Sequence, residues 1–273
     1  MSDTREGAGA PVPILMYHSV AREPSPATRA LSVSPEQFAE QMEILAGLRC
    51  TPLTTAELAG IWRGGGRVLP DRPVLITFDD GYEGVHGHAL PALAKHGFAS
   101  TLFVSTGWLR GAYDTGGGLD TMLDWDQVRA LAGQGTEIGG HSHTHPQLDQ
   151  LPDDDLEFEL RRCKEIVAGE LGEAPLSFAY PYGHSDRRVR HAVRAAGFAQ
   201  SLAVGNALAR RRQGPYALQR VTVRRSTDAG EFERLVEGRA IGRTFAGDRA
   251  LTKGYALVRR ARQARRKAVR SRV

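Results

Sequence analysis

The sequence predicts an α/β chain in which six or seven short apolar strands alternate with helices, an arrangement that pairs strands in parallel as an open doubly wound sheet or a barrel. A second observation concerns where the chemistry lies. His18, Asp79-Asp80, His141 and Tyr182 all fall at or just past the C-terminal ends of those strands, the face on which active sites gather in barrels of this kind. A third is an absence: neither GxGxxG nor GxxxxGK[ST] follows a strand, which removes the main support for nucleotide binding.

The elements follow in order. Pro13 to His18 reads as a short buried strand. Residues 35–48 carry apolar side chains at helical spacing behind Ser34, a good N-cap. After the Gly64-Gly65-Gly66 turn, Pro73 to Phe78 is a strand that runs directly into Asp79-Asp80-Gly81. A helix over 84–96 closes at Gly97, and a strand over 99–104 follows. A polar, Gly-rich loop over 111–120 precedes a helix over 125–132 and a strand over 136–139 that leads to His141. The remainder reads as a long amphipathic helix over 153–171, a strand over 176–180, and a helix over 186–196 closed by Gly197. Strands over 199–204 and 218–224 and a helix over 229–239 complete the body.

The chain has 273 residues, 41% hydrophobic and 25% charged, enough for one sizeable core. No apolar run approaches the ~18 residues of a membrane span. The net charge of +5 is unevenly placed, because Arg249 to Val273 holds ten Lys or Arg and no acid, leaving 26 basic against 31 acidic residues before it. The two cysteines, Cys50 and Cys163, are far apart and read as ordinary thiols. The N-terminus has acids and no apolar h-region, so the expected location is cytoplasmic. The basic tail reads first as a solvated terminus and second as a contact with a membrane surface, with no specific nucleic acid as partner.

Two segments carry the chemistry. Asp79-Asp80 places adjacent carboxylates at the end of a buried strand, which is costly unless positive charge sits beside them. His141-Ser142-His143-Thr144-His145 places three of the nine histidines within five positions. One helical turn would bring His141 and His145 to one side, with His143 pointing elsewhere. Two imidazoles and the Asp80 carboxylate are the three protein ligands of an open, catalytic metal site.

Thr77-Phe78-Asp79-Asp80-Gly81, followed by the His141 to His145 segment and then by Phe178-Ala179-Tyr180-Pro181-Tyr182-Gly183, closely resembles the three ordered motifs of the polysaccharide deacetylases, the NodB-homology group also called carbohydrate esterase family 4. The resemblance covers about residues 12 to 225. It implies a distorted (β/α) barrel of about seven parallel strands over 12–245, between a flexible 1–11 and the 246–273 tail. It also implies hydrolysis of acetyl groups on N-acetylated sugars or polysaccharides. Asp79 would be the base acting on a metal-bound water; Asp80, His141 and His145 would be the ligands, and the Tyr182 backbone N–H the oxyanion donor. Tyr180, Pro181, Gly183 and Trp125 would line the substrate. The metal implied is divalent, zinc first, with cobalt, nickel or manganese as alternatives.

The sequence departs from the family pattern at two points. Ala179 stands where the family has an Arg that orients the base, and Arg220 is the candidate substitute. No late Leu-x-His supplies the general acid. Leu15-Met16-Tyr17-His18, however, resembles the first strand of the poly-N-acetylglucosamine deacetylase branch, which assigns that role to His18. The rival readings are a carbohydrate-binding protein that has lost catalysis and an O-acetyl esterase of the xylan type.

Overall fold

The computed structural model describes residues 10–248, 250, 251, 254, 255 and 259. Seven parallel strands close a barrel: β1 (Ile14–Tyr17), β3 (Pro73–Phe78), β4 (Ser100–Val104), β5 (Thr136–Gly140), β6 (Ser177–Ala179), β7 (Gln200–Val204) and β8 (Leu218–Thr222). The ring shuts because β1 pairs with β3 on one side (Leu15 with Ile76) and β8 on the other (Leu15 with Val221). The two-residue β2 (Thr51–Pro52) pairs only with the start of β3 and stands outside the ring.

The period of two along each strand decides what faces inward. Ile14, Leu75, Phe103, Ala179, Leu202 and Leu218 share a fully buried cluster inside the barrel. Two residues further along the same faces come Met16, Thr77, Val204 and Arg220, and beyond these His18, Asp79 and Thr222. The interior thus passes from hydrocarbon to polar groups toward the strands' C-terminal ends. At the opposite end, Glu137 accepts hydrogen bonds from Ala56 N (2.9 Å) and Thr101 Oγ1 (3.1 Å) and also pairs with the Ser177 hydroxyl. The alternate residues, among them Tyr17, Ile76, Phe78, Leu102 and Val104, face outward into the larger core.

Helices α1 (Pro35–Gly47), α3 (Leu90–His96), α4 (Trp125–Gly133), α5 (Asp153–Leu171), α6 (Arg187–Ala195) and α7 (Ala229–Val236) wrap the barrel. Their starts are set locally: Ser34 accepts from Gln37 N at 3.1 Å, and Asp124 with Gln127 forms a reciprocal capping box. Two features depart from the sequence reading. A strand and helix, β2 and α2 (Thr55–Trp62), occupy the stretch between 48 and Gly64; the Thr54/Glu57 capping box was its available signal. The helix expected over 84–96 begins as a π-helical turn, Val85–Ala89. Cys50 and Cys163 are free thiols, as expected. Among the described residues no helix is long and apolar enough to cross a membrane.

Of the tail expected as a solvated terminus, the described residues are mostly exposed. After α8 (Ile241–Thr244), residues 246–248, 250, 251, 254, 255 and 259 are helical. Asp248, Leu251 and Tyr255 line the large cavity at the barrel's C-terminal end, and the Arg259 side chain is 13% exposed in a pair with Asp149. The Lys/Arg-rich stretch beyond 259 lies outside the described residues.

Gly139 on β5 tests the tightness of the interior. A Cβ there would lie 2.5 Å from the Phe103 ring and 3.0 Å from Ser177 O. Gly139→Ala is expected to cost about 1–3 kcal/mol by overpacking, lowering Tm by several degrees in a thermal melt. An unchanged Tm would contradict the packing described.

Candidate metal centre and catalytic cavity

The three motif segments meet at the C-terminal mouth of the barrel, around a cavity of about 430 Å³. Their backbones are strained there. Seven described non-glycine residues have positive φ, and four of them are Asp80 (75°), Ser142 (67°), His145 (60°) and Tyr182 (59°). Such conformations cost of order 1–3 kcal/mol each and persist only where the surroundings hold them. Gly81 follows Asp80 at φ 102°, and a Cβ on it would meet Leu109 at 2.7 Å. Asp79 leaves β3 facing the interior, and the left-handed turn at Asp80 swings the second carboxylate to the same cavity instead of the opposite face.

The histidines converge by a different route from the expected helical turn. Residues 141–145 are loop. Ser142 Oγ accepts from His145 N at 3.0 Å, and Glu159 on α5 accepts from His143 N and Thr144 N, both at 2.8 Å. His143 turns away and shares a 2.9 Å hydrogen bond with Thr106. The His141 Nδ1–H donates to Ala179 O at 2.8 Å, which fixes the tautomer and turns Nε2 toward Asp80.

Asp80 Oδ1 lies 3.3 Å from His141 Nε2 and 3.3 Å from His145 Nε2, and the three donors fall within 4.8 Å of one another. Donors about 2.1 Å from a tetrahedral ion stand about 3.4 Å apart, so the set fits a divalent metal. Buried Asp80 Oδ1 makes no hydrogen bond, as a ligand oxygen requires. Burial alone would raise the Asp80 carboxyl, but His141, His18 and His145 outweigh it and hold it far below the carboxylate range. Burial, then the neighbouring His141, push His145 down to about 4, so its ring is neutral at neutral pH. The His141 ring is raised despite burial, because Asp79 and Asp80 draw positive charge to this spot.

Asp79 is paired separately. Arg220, fully buried and reaching across from β8, grips both carboxylate oxygens at 2.6 and 2.7 Å. Burial would raise Asp79, but Arg220 first, then His141, hold it below the ordinary range, hence ionised. Asp79 Oδ2 stands 3.9 Å from His141 Nε2, beside the ligand set. His18 lines the same cavity, and its buried Nδ1 is without a hydrogen-bond partner.

The residues expected to meet substrate divide. Tyr182 and Gly183 line the cavity, the Tyr182 ring 4.8 Å from that of His145. Tyr180 and Trp125 do not. Tyr180 shares the outward parity of Phe178 and is fully buried, its hydroxyl bonded to Ser201 and Tyr216. Trp125 opens α4 and packs into the outer core. Pro181 is buried and does not line the cavity; it starts the turn that carries Tyr182. Sequence reasoning missed several cavity groups, Tyr82 and Asn206 among them. Tyr82, directly after Asp80-Gly81, is 2% exposed, with its phenol raised by burial and by Asp80. Asn206 holds Thr222 from a left-handed turn, and no local pattern marks it.

Residues 66–201 match the polysaccharide deacetylase family. Over 228 residues the chain is 27% identical to YxkH of Bacillus subtilis, a protein named for that family, covering 84% of this chain and 77% of the relative. It is 28% identical over 115 residues to the chitooligosaccharide deacetylase of Rhizobium leguminosarum, 41% of this chain and under half (47%) of that protein's length. The fold is similar to that of the Streptococcus pyogenes deacetylase PplD, with TM-score 0.74 at 22% identity over 83% of this chain and 98% of that one. It is also similar to that of IcaB from Ammonifex degensii, with TM-score 0.67 at 22% identity over 84% and 97%.

Two outcomes are expected. Removing Arg220 leaves Asp79 buried and unpaired, so Arg220→Met should lose about 3–5 kcal/mol in denaturant unfolding, with much of it regained in Arg220→Met/Asp79→Asn. Zinc at 100 times its Kd should add about 2.7 kcal/mol to stability; His141→Ala should abolish that gain.

Proposed function

This chain carries a polysaccharide deacetylase domain, and from that premise we propose that it is a metal-dependent hydrolase of the acetamido group of N-acetylated sugars or sugar polymers. The observation that carries the reading is the Asp79–Arg220 pair standing beside the Asp80, His141 and His145 donors on one cavity wall. One carboxylate and two imidazoles suit zinc and accept cobalt, nickel or manganese. When bound there, such an ion supplies Lewis-acid chemistry, polarising an acetyl carbonyl and making water acidic near neutral pH.

The chain's own residues then divide the work. Asp79, kept ionised and oriented by Arg220, accepts the proton of the attacking water. An acidified water needs only a modest base, so the low pKa that Arg220 imposes is compatible with the role. The backbone N–H of Tyr182 is assigned to the developing oxyanion, an interaction of about 3–4 kcal/mol where such donors have been removed. His18, protonated, donates to the leaving nitrogen, so that acetate and a free amine result. Arg220 supplies the guanidinium that Ala179 does not, and His18 an imidazole where the late histidine is missing. Both weigh against a binding protein without catalysis.

The test is acetate release from oligomers of N-acetylglucosamine with added Zn²⁺ or Co²⁺, beside acetylated xylan as the ester control. Acetate is expected from the amide substrates. Asp79→Asn should lower kcat by about 10²–10⁴ while still binding metal. A near-normal rate in Asp79→Asn would remove the base assignment, and acetate from xylan alone would favour the esterase.

A further inference from the structure

We propose that the C-terminal segment is a built wall of the catalytic cavity, in which Leu251 and Tyr255 set specificity by seating the sugar ring next to the one that bears the acetyl group. This rests on the deacetylase reading above and extends it to residues outside all three motifs.

Exposure is the first support. Of the seven large hydrophobic side chains exposed among the described residues, four, Leu119, Tyr182, Leu251 and Tyr255, line this single cavity. Apolar surface gathered around a polar site marks ligand contact rather than chance exposure. Leu251 and Tyr255 stand 64% and 63% exposed, so the segment does not bury them for its own stability.

Attachment is the second. Asp248, Leu251, Tyr255 and Arg259 are spaced by three, four and four, one face of a helix. Both ends of that face are pinned by charge. Asp248 Oδ1 accepts from Arg224 Nη2 at 2.8 Å, and Arg259 Nε donates to Asp149 Oδ2 at 2.8 Å. The second pair is nearly buried, with side-chain exposures of 13% and 11%. A buried carboxylate demands a cation, so Asp149 holds the segment to the barrel and the two apolar side chains between the pins face the cavity.

Chemistry identifies the occupant. The acetyl group must reach Asp79 and the metal donors at the cavity floor, and the rim lies above them. A pyranose presents C–H groups on its faces and hydroxyls at its edges, so its face suits an aromatic ring and a Leu side chain. A cavity of about 430 Å³ is within the range that encloses one small ligand. The seat is therefore for a short saccharide or a chain end, and the neighbouring unit is the one Tyr255 reads.

The experiment has two arms on the 273-residue chain. In the first, kcat/KM for acetate release is compared between N-acetylglucosamine and its tetramer. In Tyr255→Ala the tetramer-to-monomer ratio should fall about tenfold, mainly through KM, the scale set by losing a stretch of apolar contact. Tyr255→Phe should restore it, and Arg259→Gln, which frees the pin, should reproduce part of the fall. An unchanged ratio in Tyr255→Ala overturns the proposal. In the second arm, tetramer binding to Asp79→Asn is measured by calorimetry with and without Tyr255→Ala. Binding weakened about tenfold supports the wall even if wild type releases no acetate, which would instead sink the deacetylase reading. Equal binding overturns the wall, and no binding together with no acetate from the wild type overturns both.

Discussion

Two buried carboxylates at the C-terminal mouth of a parallel barrel are the constraint around which the site is organised. Asp79 and Asp80 are 2% and 5% exposed, and an unpaired charge at such a place is intolerable. Each is answered by a different device. Asp79 receives a fixed cation, the bidentate Arg220, whose planar fork matches both oxygens. Asp80 receives two imidazoles whose positions suit a shared divalent ion. A permanent cation on one acid and exchangeable positive charge on the other suits these neighbouring residues to the separate base and ligand roles proposed for them.

The scaffold keeps this arrangement by spending its strain locally. The left-handed residues at Asp80, Ser142, His145 and Tyr182 lie within the three motif loops, and the regular strands beneath them carry the core. Glu159 on α5 fastens the histidine loop through two backbone N–H groups, and the Ala179 carbonyl orients His141. The position where the family resemblance expects an Arg side chain thus contributes through its backbone, while the guanidinium arrives from β8. Asp79 can be oriented from either strand because Ala179 on β6 and Arg220 on β8 both face the barrel interior.

The rim follows a separate logic. Polar chemistry sits on the floor, supplied by strand ends, whereas the apolar mouth is supplied by loops and by Leu251 and Tyr255 beyond α8. Under the proposed function, such a division separates what reacts from what selects. The Asp149–Arg259 pair joins the two, because burial of Asp149 makes the segment's attachment a condition of charge balance. His184 shows the same influence: burial first, then Arg259, push its pKa down to about 4.

What the sequence determined by itself was whatever depends on neighbours along the chain. Alternation of apolar strands with helices indicated six or seven parallel strands, the family resemblance implied their closure into a barrel, Ser34 and Gly97 marked helix ends, and residue type with order located Asp79, Asp80, His141 and His145. Tyr180, expected at the substrate, instead packs outward with the parity of Phe178, a signal the sequence reading did not use. The tertiary structure decided what depends on contacts between remote segments. The partner of Asp79 lies 141 residues away at Arg220 and that of Asp149 lies 110 residues away at Arg259. The histidines meet through left-handed loop residues rather than a helical turn, held by Glu159. Periodicity and local pattern record only short-range geometry, whereas a buried charge is satisfied by whatever the closed barrel brings within hydrogen-bonding distance.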